Sequence, residues 1–245
     1  MEFLQSLDWA AIIKIIGIDI MLGVDNAIVI ALACAALPPE VRGRAVLWGT
    51  AGAVGLRAIL LAFAGVLMGL PYVKLIAGAY LLYLGYKLLM ENDGEHDVPA
   101  ADRVSTAIKT IIVADFMMSL DNVLAVAAAA ESAGQHSTLY AIAGIALSIP
   151  VIIFGARGLM GLMQRYPIIV WLGAGLLGWV GAEMIITEPL LQNYITSVHM
   201  TMGEYTHLSY KIAGFMAVVF SVYAARHIKK RMSPEADNPA EQPSA

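Results

Sequence analysis

Apolar residues gather in seven blocks of about twenty, at roughly 9–33, 45–68, 72–90, 108–131, 138–157, 168–187 and 209–226. About twenty apolar residues in helical form cross the hydrocarbon core of a bilayer. Backbone exposed to lipid must satisfy its own hydrogen bonds, so each block is predicted to be a helix. The third and seventh blocks are the shortest. The pattern predicts an all-α membrane protein with seven transmembrane helices.

Charge sets the orientation. The chain is 59% hydrophobic and only 14% charged, against about 25% charged in a soluble domain. Arg42, Arg44, Lys87, Arg103, Lys109, Arg157, Arg165, Arg226, Lys229, Lys230 and Arg231 fall on one side of the alternating connectors. Lys74 and Lys211 fall on the other, and Lys14 and Arg57 lie within blocks. Basic residues favour the cytoplasmic side, which places the N-terminus outside and the C-terminus in the cytoplasm of a multi-pass plasma membrane protein. Glu2 and Asp8 stand where a cleaved signal peptide would carry basic residues. The basic residues are spread among helix edges, so nucleic acid is not an expected partner. The lone Cys34 excludes an internal disulfide and a paired-thiol mechanism.

A repeat organises the chain. The first block holds Asp19, Asp25 and Asn26, and the fourth holds Asp115, Asp121 and Asn122, each shifted by 96 positions. At the same offset Gly85 meets Gly181, Tyr83 meets Trp179 and Lys87 meets Glu183. An odd number of helices per half makes the second half enter from the opposite side. The predicted architecture is an inverted 3+3 repeat plus one extra helix, as in many secondary transporters. Residues 1–90 form the first three-helix repeat, 91–104 a cytoplasmic linker, and 105–187 the second, inverted repeat. An outer loop over 188–208, a seventh helix over 209–231 and a disordered tail over 232–245 complete the division. The tail is rich in Pro, Glu, Ala and Ser and cannot bury apolar surface.

Carboxylates inside apolar spans are costly, and they normally face a protein interior or a water-filled path. Duplicated acids near the bilayer midplane point to one polar site built jointly by the two halves. The candidate metal-binding residues are Asp19, Asp25, Asn26, Asp115, Asp121, Asn122 and Glu183. Asp19, Gly23 and Asn26 share a helix face, while Asp25 points away from Asp19. A local unwinding near Gly23 and Ser119 would swing the second Asp of each motif toward the same cavity. Arg57 is placed to balance an Asp. Lys14 is expected to reach the outer surface, and Glu131 to sit at the interface. Met21 and Met117 are expected to pack in the core, and His199 and His207 to be solvated loop residues. A retinal-type receptor is excluded because mid-span positions such as Ala217 and Val218 are apolar.

Around Leu22-Gly-Val-Asp25-Asn26-Ala and Asp115-Phe-Met-Met-Ser-Leu-Asp121-Asn122-Val the chain resembles the TerC family of integral membrane proteins. More particularly, it is similar to the short, roughly seven-span bacterial members of the YjbE type, within the lysine-exporter-like superfamily. That resemblance covers about residues 5–225 and implies metal binding at the two motifs and manganese export. All-oxygen donor sets suit Mn²⁺, Mg²⁺ or Ca²⁺ better than Cu⁺ or Zn²⁺. At least one Asp is spare in charge terms for a divalent ion, so proton antiport is the expected coupling. The expected function is a transporter, not an enzyme. It has no permanently bound cofactor, Mn²⁺ as the transported ion, and lipid, divalent cations and protons as partners. Export of amino acids or another organic cation is the alternative. A homo-oligomer, or a partnership with secretion machinery, is compatible with either.

Overall fold

The computed structural model describes residues 9–67, 70–91, 100–131, 137–191, 195 and 206–232. They form seven α-helices: α1 Trp9–Ala35, α2 Pro39–Leu67, α3 Val73–Glu91, α4 Ala100–Glu131, α5 Ser137–Arg165, α6 Ile168–Ile186 and α7 Thr206–Met232. A single 3₁₀ turn, Pro189–Leu191, follows α6. Every apolar block in the sequence corresponds to one helix. Several helices extend further than the hydropathy suggests. α2 begins at Pro39, α4 at Ala100, and α5 runs on to Arg165. The sequence-defined linker over 91–104 is therefore helical over 100–104, and the outer loop over 188–208 ends where α7 begins at Thr206. The tail from 233 onward lies outside the described residues.

Among the described residues, four segments are long and apolar enough to cross a membrane: Val73–Glu91, Leu147–Arg165, Ile168–Ile186 and Thr206–Ile228. Their outer faces carry large apolar side chains. Phe154, Ile168, Phe220 and Tyr223 are all more than half exposed. In water such a surface would drive association; in a bilayer it is the face that lipid covers.

The most extensive pairings are α1 with α5, α2 with α4, α3 with α6, and α6 with α7. Lipid tails are as apolar as leucine, so association depends on close van der Waals packing through small residues. The α3–α6 crossing shows this. A Cβ on Gly78 would strike the backbone carbonyl of Gly181, and one on Gly85 would come within 2.7 Å of the Ala174 carbonyl. Gly178 and Gly214 make the same backbone-to-backbone approach between α6 and α7.

The segment after α6 is tied to α3. Glu188 is buried, and its carboxylate accepts from the backbone N–H groups of Tyr72 and Leu75, both at 3.3 Å. A helix start leaves orphan N–H donors and favours negative charge. Glu188 supplies both an acceptor and that charge from 116 residues away. Tyr72 takes a positive φ of 68° at this junction.

Candidate functional site

α1, α2, α4 and α5 enclose a cavity of about 20 Å³. A polar site of roughly 10–15 Å³ suffices for one water molecule, so the space matches a single small ion or water. Asn26 reaches it from α1, Thr50 and Arg57 from α2, and Asp115 from α4. Aliphatic side chains, including Val29, Ile30, Ile111 and Ile152, form the rest of the wall.

Helical spacing explains why these groups converge. Thr50 and Arg57 are two turns apart on one face of α2, and Ala53 and Val54 between them also face the cavity. Asp115 and Ser119 are one turn apart on α4. Asp115 lies near the middle of α4, roughly 23 Å from either end at 1.5 Å per residue.

The electrostatics are concentrated in one network. Arg57 Nη2 donates to Asp115 Oδ1 at 2.9 Å, and Arg57 Nε donates to Ser119 Oγ at 3.0 Å. Ser119 Oγ donates in turn to Asp115 Oδ2 at 3.1 Å. Both oxygens of the carboxylate are therefore engaged. The two charged side chains are 4% and 10% exposed, a buried ion pair. Beside this pair sit two buried polar groups with no partner among the described residues. They are both amide atoms of Asn26, 4% exposed, and the hydroxyl of Thr50, 3% exposed. Buried polar groups are normally hydrogen-bonded, and each exception calls for a physical reason.

The sequence-derived candidates separate into three groups. Asn26 and Asp115 meet at the cavity. Asp25 is half-buried and outside its lining, and Glu183 is also outside it. Those two carboxylates lie within electrostatic reach of each other. Glu183 forms an ion pair with Lys211 of α7, whose ammonium also lies 5.8 Å from the centre of the Trp179 ring. The side chains of Asp19, Asp121 and Asn122 lie outside the described residues, as do those of Lys14, Glu131 and His199. Among the described residues, no three His, Cys, Asp or Glu side chains cluster as metal ligands.

Two expectations are corrected. α1 and α4 run unbroken through Gly23 and Ser119, so no local unwinding turns the second Asp inward. Gly23 instead admits Ile152, which a Cβ there would meet at 3.0 Å, and Ser119 is held by the Arg57–Asp115 pair. Met21 is 69% exposed rather than packed in the core, whereas Met117 does pack against it. The sequence reading passed over Thr50, although its spacing from Arg57 already placed both on one face.

A second cavity, of about 180 Å³, lies next to the first along α1 and α4. Ala33, Leu88, Glu91, Arg103, Thr106 and Thr110 line it. Ala33 follows Ile30 within one turn, and Thr110 directly precedes Ile111, so the linings of the two cavities are neighbours on both helices.

The sequence profile described as the integral membrane protein TerC family matches residues 4–233. The chain belongs to the TerC family of integral membrane proteins. It is 39% identical over 185 residues to the uncharacterized membrane protein YjbE of Bacillus subtilis (strain 168), covering 76% of this chain and 83% of that protein. It is 27% identical over 197 residues to the UPF0053 inner membrane protein YgdQ of Escherichia coli (strain K12), covering 73% and 81%. No solved structure matches the chain. As an integral membrane protein, this TerC member presents the exposed apolar faces of its helices to lipid.

Proposed function

We propose that this TerC protein exports a divalent metal cation, with manganese the favoured ion, across the bacterial inner membrane by proton antiport. The observation that carries the reading is the cavity where Asp115, the unpartnered Asn26 amide and the unpartnered Thr50 hydroxyl meet. Carboxylate, amide carbonyl and hydroxyl are all oxygen donors, the set that suits Mn²⁺, Mg²⁺ and Ca²⁺. Manganese is favoured among these by the family resemblance. The cavity's size, about 20 Å³, favours an inorganic ion over an amino acid or other organic cation. The name of the inner membrane relative YgdQ agrees with the membrane assigned here.

The helix packing supports an inverted repeat. Exchanging α1 with α4, α2 with α5 and α3 with α6 turns the α1–α5 pairing into α4–α2 and leaves α3–α6 in place. The close approaches follow the same exchange. At the offset of 96, the Gly78–Gly181 contact becomes the Ala174–Gly85 contact. With the N-terminus outside, the larger cavity opens toward the cytoplasmic ends of α1, α3 and α4 and forms the ion's entry vestibule. Asp19, Asp121 and Asn122 belong to the proposed path as the repeat partners of Asp115, Asp25 and Asn26. Asp25 and Asp121, the second acid of each motif, are the proposed proton relays, because cation binding in such sites is linked to proton release.

The test is metal content and metal sensitivity in cells with and without the gene, across Mn²⁺, Ca²⁺, Mg²⁺ and Zn²⁺. Loss of the gene should raise cellular manganese and manganese sensitivity selectively. Unchanged content of all four metals would remove the proposal.

A further inference from the structure

Arg57 sits at Asp115, the carboxylate that lines the central cavity among the described residues. It is 3% exposed and holds Asp115 Oδ1 at 2.9 Å, while its Nε rests on Ser119. Ser119 occupies the other carboxylate oxygen at 3.1 Å. The charge needed to attract a cation is thus already matched by a cation of the protein's own. The neutral donors beside it, Asn26 and Thr50, are buried without partners. A pair serving only to glue helices together would leave no such donors facing its cavity, because each unpartnered group costs stability.

From this we propose that Arg57 is a built-in competitor for the transported cation, holding Asp115 until the ion takes the carboxylate and expelling the ion when it returns. The proposal rests on the export reading above. Arginine cannot lose its proton in a protein. A divalent ion reaching Asp115 therefore faces a fixed positive charge in low dielectric, where like charges repel strongly. The ion can bind only as the guanidinium swings off Asp115. Ser119, bonded to Nε and not to the Asp115-binding Nη2, provides the pivot about which Arg57 moves. Competition of this kind lowers affinity and speeds release, which favours turnover over tight holding.

The test uses the purified full-length protein and Mn²⁺ alone, with binding followed by loss of the free-ion paramagnetic resonance signal. Arg57→Gln should bind Mn²⁺ about tenfold or more tightly than wild type, the worth of one charge-assisted hydrogen bond. In liposomes the same variant should transport more slowly despite its higher affinity. Ser119→Ala keeps both charges and removes the pivot, so it should tighten binding a few-fold. It decides the matter if Arg57→Gln does not fold. Unchanged or weaker binding in the folded variants overturns the role of Arg57 while leaving export standing. Wild-type protein that leaves the free Mn²⁺ signal unchanged overturns the reading of manganese export itself.

Discussion

Asp115→Asn removes one charge and almost no volume, yet it should be among the most destabilising single changes in the molecule. The reason is Arg57. Its guanidinium is buried against Asp115 at 2.9 Å, with side chains only 4% and 10% exposed. The amide takes the Asp115 counter-charge away from that cation in a low-dielectric interior. Breaking a buried pair from one side costs about 3–5 kcal/mol. Domains are typically stable by only about 5–15 kcal/mol, so the loss is a large share of the total. The double change Arg57→Met with Asp115→Asn removes both charges at nearly constant volume and leaves Ser119 to hydrogen-bond the amide, and it should recover most of the loss. The assay is reversible unfolding by added SDS in mixed micelles, for wild type, both single variants and the double. The expected coupling between the two sites is about 2–3 kcal/mol. An Asp115→Asn variant within about 1 kcal/mol of wild type, or a double variant no more stable than the singles, would refute the assignment of a buried, mutually dependent pair.

Three further outcomes follow from other parts of the molecule. Thr50→Val swaps a buried, unpartnered hydroxyl for a methyl of similar volume; thermal stability should hold or rise by about 1 kcal/mol, while Mn²⁺ transport in liposomes falls. Gly178→Leu puts a side chain against the Gly214 carbonyl between α6 and α7; it should lower the melting temperature and weaken the Glu183–Lys211 pair, and an unchanged melting temperature would contradict that packing. In a Cys34→Ser background, cysteine at Asn92 should react with thiol reagents only from the cytoplasm and cysteine at Gln192 only from outside; labelling of both from one side would end the inverted-repeat proposal.

The helices were legible because hydropathy senses the part of a helix that lipid covers. Their ends were less so. α2 continues past the apolar block through Pro39, Glu40, Arg42 and Arg44, and α5 continues through Arg157 to Arg165. The start of α2 is polar and lies where hydropathy no longer reports, whereas the end of α5 stays apolar through Leu159, Met160, Leu162 and Met163 and was cut short at Arg157. Asn26 and Asp115 stood out because acids and amides in apolar spans are expensive and here recur at one spacing. The partners of those residues were less accessible. Arg57 and Asp115 are 58 positions apart, and only tertiary packing brings them together. Glu183 matched Lys87 at the repeat offset and read as a candidate ligand. Its partner Lys211 was counted only as a charge at a helix edge, and α7 lies outside the symmetry that guided the reading. Glu188 read as a loop residue, yet it caps the start of α3 across 116 positions. Side chains serving distant backbone leave no periodic trace in a sequence.

The central claim is that a divalent cation crosses the membrane through the cavity lined by Asn26, Thr50 and Asp115. Purified protein in liposomes, with a metal-quenched dye and a pH dye trapped inside, tests it most directly. Asn26→Leu is the deciding variant, because the Asn26 amide makes no hydrogen bond among the described residues that folding would lose. The account predicts Mn²⁺ flux in wild type, proton movement in the opposite direction, and a loss of both in a folded Asn26→Leu protein. Divalent-cation flux no greater than in protein-free liposomes, or equal flux in wild type and Asn26→Leu, would contradict it.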